Sequence, residues 1–176
     1  MKLKKIILTA LLLASSIVIK RFLSINSTIL SISWTFVPLM LSGMILGYKN
    51  TLLIAVLEDL IGALLFPFGS YFIGYTISSA LCGLVYGLLL YQKDDFKVSK
   101  KFIIRLIIAI LIVTILINGC LNTCWIILTS QKASVAIIPT RIIKQLIMIP
   151  VMFWTMLGLS KALETEIRKI KNDINM

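Results

Sequence analysis

Apolar residues run through this chain in six long stretches, each broken by a short polar or turn-forming segment. The first covers about residues 4–20 and ends at Lys20-Arg21. Residues 22–35 differ: they are rich in Ser, Thr and β-branched side chains, and Ile29 to Trp34 partly alternates, which predicts an extended, strand-like segment. The second stretch is short, about 36–48, and Lys49-Asn50 reads as a tight turn. The third runs about 51–66 and stops at the breaker cluster Phe66-Pro67-Phe68-Gly69-Ser70. The fourth covers about 71–91 and precedes a plainly polar linker, Gln92 to Lys101. The fifth is about 102–129, residues 130–139 form a loop, and the sixth is about 140–160. From Lys161 the charges alternate, as in a solvated helix end.

Each stretch is near the roughly 20 residues that a helix needs to cross a bilayer. Composition agrees. Of 176 residues 59% are hydrophobic and only 14% charged, with mean hydropathy +1.02. A soluble domain carries about 25% charged residues, so these charges cannot cover a water-facing surface. The expected fold is an all-α integral membrane domain, 1–176, of six transmembrane helices with a structured extended loop after helix 1. The N-terminus, Met1-Lys2-Leu3-Lys4-Lys5 before an apolar run, resembles a signal peptide, but no small-residue cleavage site is followed by a polar sequence. It reads as the first span.

Charge sets the orientation. Six spans put both termini on one side. Twelve Lys and Arg flank the spans there against four, Lys20, Arg21, Lys132 and Arg141, on the other. The positive-inside bias then places both termini in the cytoplasm. The net charge of +11 is explained the same way, and no nucleic-acid partner is expected, because the basic residues sit at the ends of apolar runs.

Several chemistries are excluded. The chain has no His, so a Ser/His/Asp or Cys/His arrangement is impossible. No Walker-type glycine loop is present, so the chain cannot power transport with ATP by itself. Cys82, Cys120 and Cys124 lie in apolar stretches, and neither a metal site nor a disulfide framework is expected. The chain is not expected to be an enzyme or to hold a cofactor.

Four features carry candidate chemistry. Ala10 and Ala14 stand at i, i+4 in the first span, where small side chains let another helix approach closely in lipid. Lys20, Arg21, Lys132 and Arg141 have no acidic neighbour in the outer loops, and Lys144 lies one turn below Arg141. An outward basic vestibule suits an anionic ligand, since Arg grips carboxylates bidentately; snorkelling to lipid phosphate is the competing explanation. Glu58-Asp59 in the third span point about 100° apart on a helix, so at most one faces a given pocket. One pairs with Arg105 or Lys144, or one accepts hydrogen bonds from a ligand's amino group. Finally Trp34, Trp125, Phe66, Phe68, Tyr71, Phe72 and Tyr75 gather towards the outer end. They serve either as an interfacial belt or as stacking surfaces for a flat heteroaromatic ligand.

At these residues the chain resembles a family. The order of short spans, the extended segment after the first and Ala10-x-x-x-Ala14 are similar to substrate-binding S components of energy-coupling-factor (ECF) vitamin transporters. Three stretches resemble the folate-specific members: Lys20-Arg21-Phe22-Leu23-Ser24-Ile25; Asp59 to Pro67 running on to Gly69-Ser70-Tyr71-Phe72; and Arg141-Ile142-Ile143-Lys144 with Ile147-Met148-Ile149-Pro150. This chain departs from the family pattern at Glu58, where a small residue is usual, and at Ser70, Ile73 and Tyr75. The resemblance implies a six-helix subunit of the bacterial cell membrane that binds folate from outside. The implied substrate-binding set is Arg21, Trp34, Asp59, Phe68, Tyr71, Phe72, Tyr75, Trp125, Arg141 and Lys144. The Ala10/Ala14 face docks on a transmembrane coupling subunit, which two ATPases drive, and the whole subunit topples to release its vitamin. An S component for riboflavin, pantothenate or thiamine, or a membrane assembly subunit without transport activity, is the alternative reading; a basic vestibule argues against cationic thiamine.

Overall fold

The protein is described from a computed structural model that covers residues 2–22, 25–26, 31–65, 71–93, 96–129 and 137–175. Helix α1 spans Lys2–Phe22, and two-residue strands β1 (Ile25–Asn26) and β2 (Ser31–Ile32) follow it. They pair antiparallel, Ile25 opposite Ile32 and Asn26 opposite Ser31. Then come α2 (Phe36–Leu46), α3 (Tyr48–Leu65) and α4 (Ile73–Leu89). A continuous rod, Lys100–Thr129, is built from α5 (Lys100–Leu111), a π-helical segment (Ile112–Leu121) and α6 (Asn122–Thr129). Helices α7 (Ile137–Ala162) and α8 (Glu164–Asn175) complete the chain.

Local signals explain the boundaries. Pro38 and Pro139 sit in the first turns of α2 and α7, where a missing N–H costs no helical hydrogen bond. Ser99 caps α5 by accepting from the Phe102 N–H at 3.3 Å. The turn between α2 and α3 is a single residue, Gly47 at φ +74, a region that side chains disfavour.

Helix α3 lies along α4 with the most extensive contact in the molecule, and α1 and α2 pack on this pair. Approach is close enough that a Cβ on Gly87 would stand 2.3 Å from the Tyr48 Cα. Gly87→Ala therefore has to push backbone aside. It is expected to destabilise the protein by on the order of 1–3 kcal/mol, read as a lower melting temperature in detergent; an unchanged one contradicts this contact. The core of the bundle holds Met40, Met44, Ile54, Tyr86, Leu106 and Met156, all fully buried. By contrast α7 shows most of its surface, Trp154 being 70% exposed, and Leu64, Leu65 and Leu128 also face outwards. Apolar side chains pointing out all round are what lipid solvates. Lys100–Thr129 and Ile138–Ala162 are each long and apolar enough to cross a membrane.

The described residues form seven helical rods, counting Lys100–Thr129 as one, where six were expected. The seventh is α8. Its charged sequence predicted a solvated end, but it docks on α1, α2 and α7. Ile167 is 2% exposed and Lys171 4%. The Lys171 ammonium donates to the Gln92 carbonyl and sits 4.7 Å from the Tyr91 ring centre, and Arg168 Nη2 donates to the Phe96 carbonyl at 3.4 Å. Lys4 of α1 meets Asp173 at 3.5 Å. The helix straps the linker between α4 and α5 to the end of the bundle that holds the termini.

Candidate functional site

A cavity of about 230 Å³ opens between α1, α2, α3, α4, the π-helical segment and α7. Ser33, Thr35, Asn118, Asn122 and Arg141 line it near the end remote from the termini; Leu39, Ala55, Tyr86, Val113 and Met152 line its depth. More than half of its lining residues are polar or charged, and convergent polar groups are what fix the orientation of a small molecule in its site. Four of its charged wall residues are Lys20, Glu58, Arg141 and Lys144.

Two of the four belong to a buried network. Glu58 is 5% exposed and accepts from the Ser16 hydroxyl through Oε2, while Lys20 Nζ stands 3.0 Å from Oε1. Lys20 also reaches Asp59 Oδ1 at 3.5 Å. Asp59 Oδ2 in turn accepts from Thr76 Oγ1 at 2.7 Å. That hydroxyl has only one hydrogen, so Tyr71 OH, 2.7 Å away, donates to Thr76. The 100° offset between adjacent helical residues turns Glu58 to the cavity and Asp59 to α4, with Lys20 bridging both. One of the two carboxylates was expected to pair with Arg105 or Lys144, or one to accept from a ligand. The recorded ion-pair partner of both is Lys20, whose charge therefore belongs to this network and not to an open basic vestibule. A buried ion pair tolerates loss of either partner poorly, because the remaining charge is left unbalanced.

Across the cavity α7 supplies Arg141 and Lys144. The π-helical segment positions Arg141. In an α-helix the Asn122 N–H would bond the Asn118 carbonyl; here it bonds Ile117, five residues back. The Asn118 carbonyl instead accepts from Arg141 Nη2 at 3.3 Å. Arg141 Nε is buried with no hydrogen-bond partner among the described residues. Arg141 itself lines the cavity, so the guanidinium borders the space that a ligand would fill.

Among the residues singled out from the sequence, Arg141 and Lys144 line this cavity. Asp59 and Tyr71 stand behind its wall in the network with Lys20, and Arg21 donates to the Gly62 carbonyl. Phe72, Tyr75 and Trp125 form an adjoining aromatic cluster: Phe72 lies 5.5 Å from Trp125 and 6.0 Å from Tyr75 between ring centres. The Trp125 indole N–H donates to Ser78 at 3.1 Å. Trp34 is half exposed and stacks 5.7 Å from Phe36, which does line the cavity. Phe68 and Lys132 fall outside the described residues. Ala10 and Ala14 lie on the exposed face of α1, opposite buried Leu12 and Ser16. The cavity-lining Ser79, Asn118, Asn122 and Gln145 were missed, although isolated polar side chains within apolar spans are a readable signal.

Comparison with known proteins adds an independent line. The family described as ECF transporter, substrate-specific component, matches residues 4–160. The chain is 35% identical over 150 residues to a protein named folate transporter FolT from Clostridium novyi (strain NT), covering 85% of this chain and 84% of that one. It is 30% identical over 153 residues to a protein of the same name from Leuconostoc mesenteroides subsp. mesenteroides, covering 84% and 80%. Among solved structures it is similar to FolT bound with folic acid, with TM-score 0.81 and 34% identity, over 90% of this chain and 93% of that one.

Proposed function

Since the chain belongs to the substrate-specific components of ECF transporters, a transport family and not an enzyme family, we propose that it captures folate for import across the membrane. The observation that carries this reading is its similarity, over nearly its whole length, to two proteins named as folate transporters and to one solved with folic acid. The cavity supports it chemically. Folate joins a flat pterin to a glutamate with two carboxylates, and the cavity sets one carboxylate on α3 against two cations on α7.

In this reading the six rods before α8 cross the bacterial membrane, both termini lie in the cytoplasm, and the cavity faces outwards. Arg141 and Lys144 hold the glutamate; the cluster of Phe72, Tyr75 and Trp125, with Trp34, stacks on the ring system. A transmembrane coupling subunit docks on the Ala10/Ala14 face, and two ATPases supply the energy.

Binding then needs no ATP. The purified chain is expected to bind folate one-to-one in isothermal calorimetry, with no heat from riboflavin, thiamine or pantothenate. Heat from one of those vitamins and none from any folate would sink the substrate assignment while leaving the family intact.

A further inference from the structure

Glu58 is placed in the cavity wall by the fold, whereas its neighbour Asp59 is turned to Thr76. An ionised carboxylate offers about four acceptor positions, two on each oxygen. The recorded partners fill one on each: Ser16 on Oε2 and Lys20 on Oε1. The remaining pair is spaced to receive two parallel N–H donors, the geometry with which a carboxylate meets a planar fork. Lys20 balances the charge, and Ser16 with Lys20 fixes the carboxyl plane, so the group is preorganised before a ligand arrives.

Resting on the folate reading, we infer that Glu58 is a specificity-determining residue that accepts the 2-amino and N3–H donors of the pterin edge. The opposite end of the cavity repels such donors, because Arg141 and Lys144 present only donors themselves. The two ends thus impose one direction on the ligand: pyrimidine edge towards α1 and α3, glutamate towards α7. Asp59 acts at one remove, by holding Lys20 and through it Glu58; it is a positioning residue.

The test is a selectivity ratio. Wild type, Glu58→Gln and Asp59→Asn are each titrated with folate and with 2-desaminofolate, which lacks only the amino donor. Glu58→Gln is expected to weaken folate on the order of ten- to a hundredfold and 2-desaminofolate by far less. Asp59→Asn, which acts only through Lys20 and Glu58, is expected to lower the same selectivity ratio by less. Glu58→Gln leaves Lys20 its pair with Asp59; if the variant still fails to fold, Lys20→Met/Glu58→Gln/Asp59→Asn removes all three charges and carries the same expectation. Equal loss of both ligands in Glu58→Gln, or a larger selective loss in Asp59→Asn than in Glu58→Gln, overturns the inference. A wild-type chain that binds neither ligand overturns the folate reading itself, and the inference with it.

Discussion

Trp at position 10 or 14 is expected to abolish folate uptake by the assembled transporter while leaving folate binding to the isolated chain unchanged. Both alanines lie on the exposed face of α1, away from the buried Leu12 and Ser16 by which that helix packs into its own bundle. A bulky side chain there points away from the described bundle, so fold and cavity are expected to persist. Helices in lipid associate through close backbone approach, which small residues at i, i+4 permit and an indole blocks. The measurement pairs uptake of labelled folate in reconstituted vesicles with calorimetry on the subunit alone. Binding lost together with uptake would show that this face supports the pocket instead of a partner.

The second large effect concerns Arg141. Arg141→Ala is expected to weaken folate binding about ten- to a hundredfold, the range for a charge-assisted hydrogen bond worth roughly 1.5–3 kcal/mol, and to change binding of pteroate, which lacks the glutamate, much less. The guanidinium is tied by one nitrogen to the Asn118 carbonyl, and its buried Nε has no hydrogen-bond partner among the described residues. It is thus aimed before the ligand binds and loses little side-chain freedom on doing so. Lys144→Ala should act in the same direction, since it lines the same cavity one turn along α7. Titration of both variants with folate and pteroate decides the matter. Loss by one common factor for the two ligands contradicts a glutamate clamp, and loss confined to pteroate moves the residue to the pterin end.

Much of the helical framework was legible, because an apolar run of given length is a local property. The second stretch, expected over about 36–48, is α2 at Phe36–Leu46, and the fifth, expected over about 102–129, is the rod Lys100–Thr129. Helix α8 was misread for a specific reason. Its frequent charges mask a stripe of Leu163, Ile167, Ile170 and Ile174 at spacings of four, three and four, which buries against the bundle. The ion pair of Lys20 with Glu58 joins residues 38 positions apart in sequence, and no local pattern announces which of two adjacent carboxylates meets a cation on another helix. Arg141 and Lys144 were visible as cations without acidic neighbours; Asn118 and Asn122 acquire meaning only from the fold that turns them inwards.

The π-helical segment gives the rod Lys100–Thr129 a tolerance of length that an ordinary helix lacks. A stretch that closes hydrogen bonds five residues back holds more residues per turn than one that closes them four back. It is how a helix stores an insertion without breaking. Deleting one residue between 112 and 121 would let the segment return to ordinary α-helical bonding, and the rod would stay helical and apolar. Because the wide turn holds its extra residue within itself, the residues beyond the deletion would keep their azimuth, without the turn of about 100° that a deletion causes in an ordinary α-helix. Asn122 would stay in the cavity wall and Trp125 beside Ser78, but the N–H four residues on would reclaim the Asn118 carbonyl from Arg141. For this rod a one-residue gap in an alignment between 112 and 121 is a local change, because it unties Arg141 and leaves the azimuth of the residues that follow unchanged.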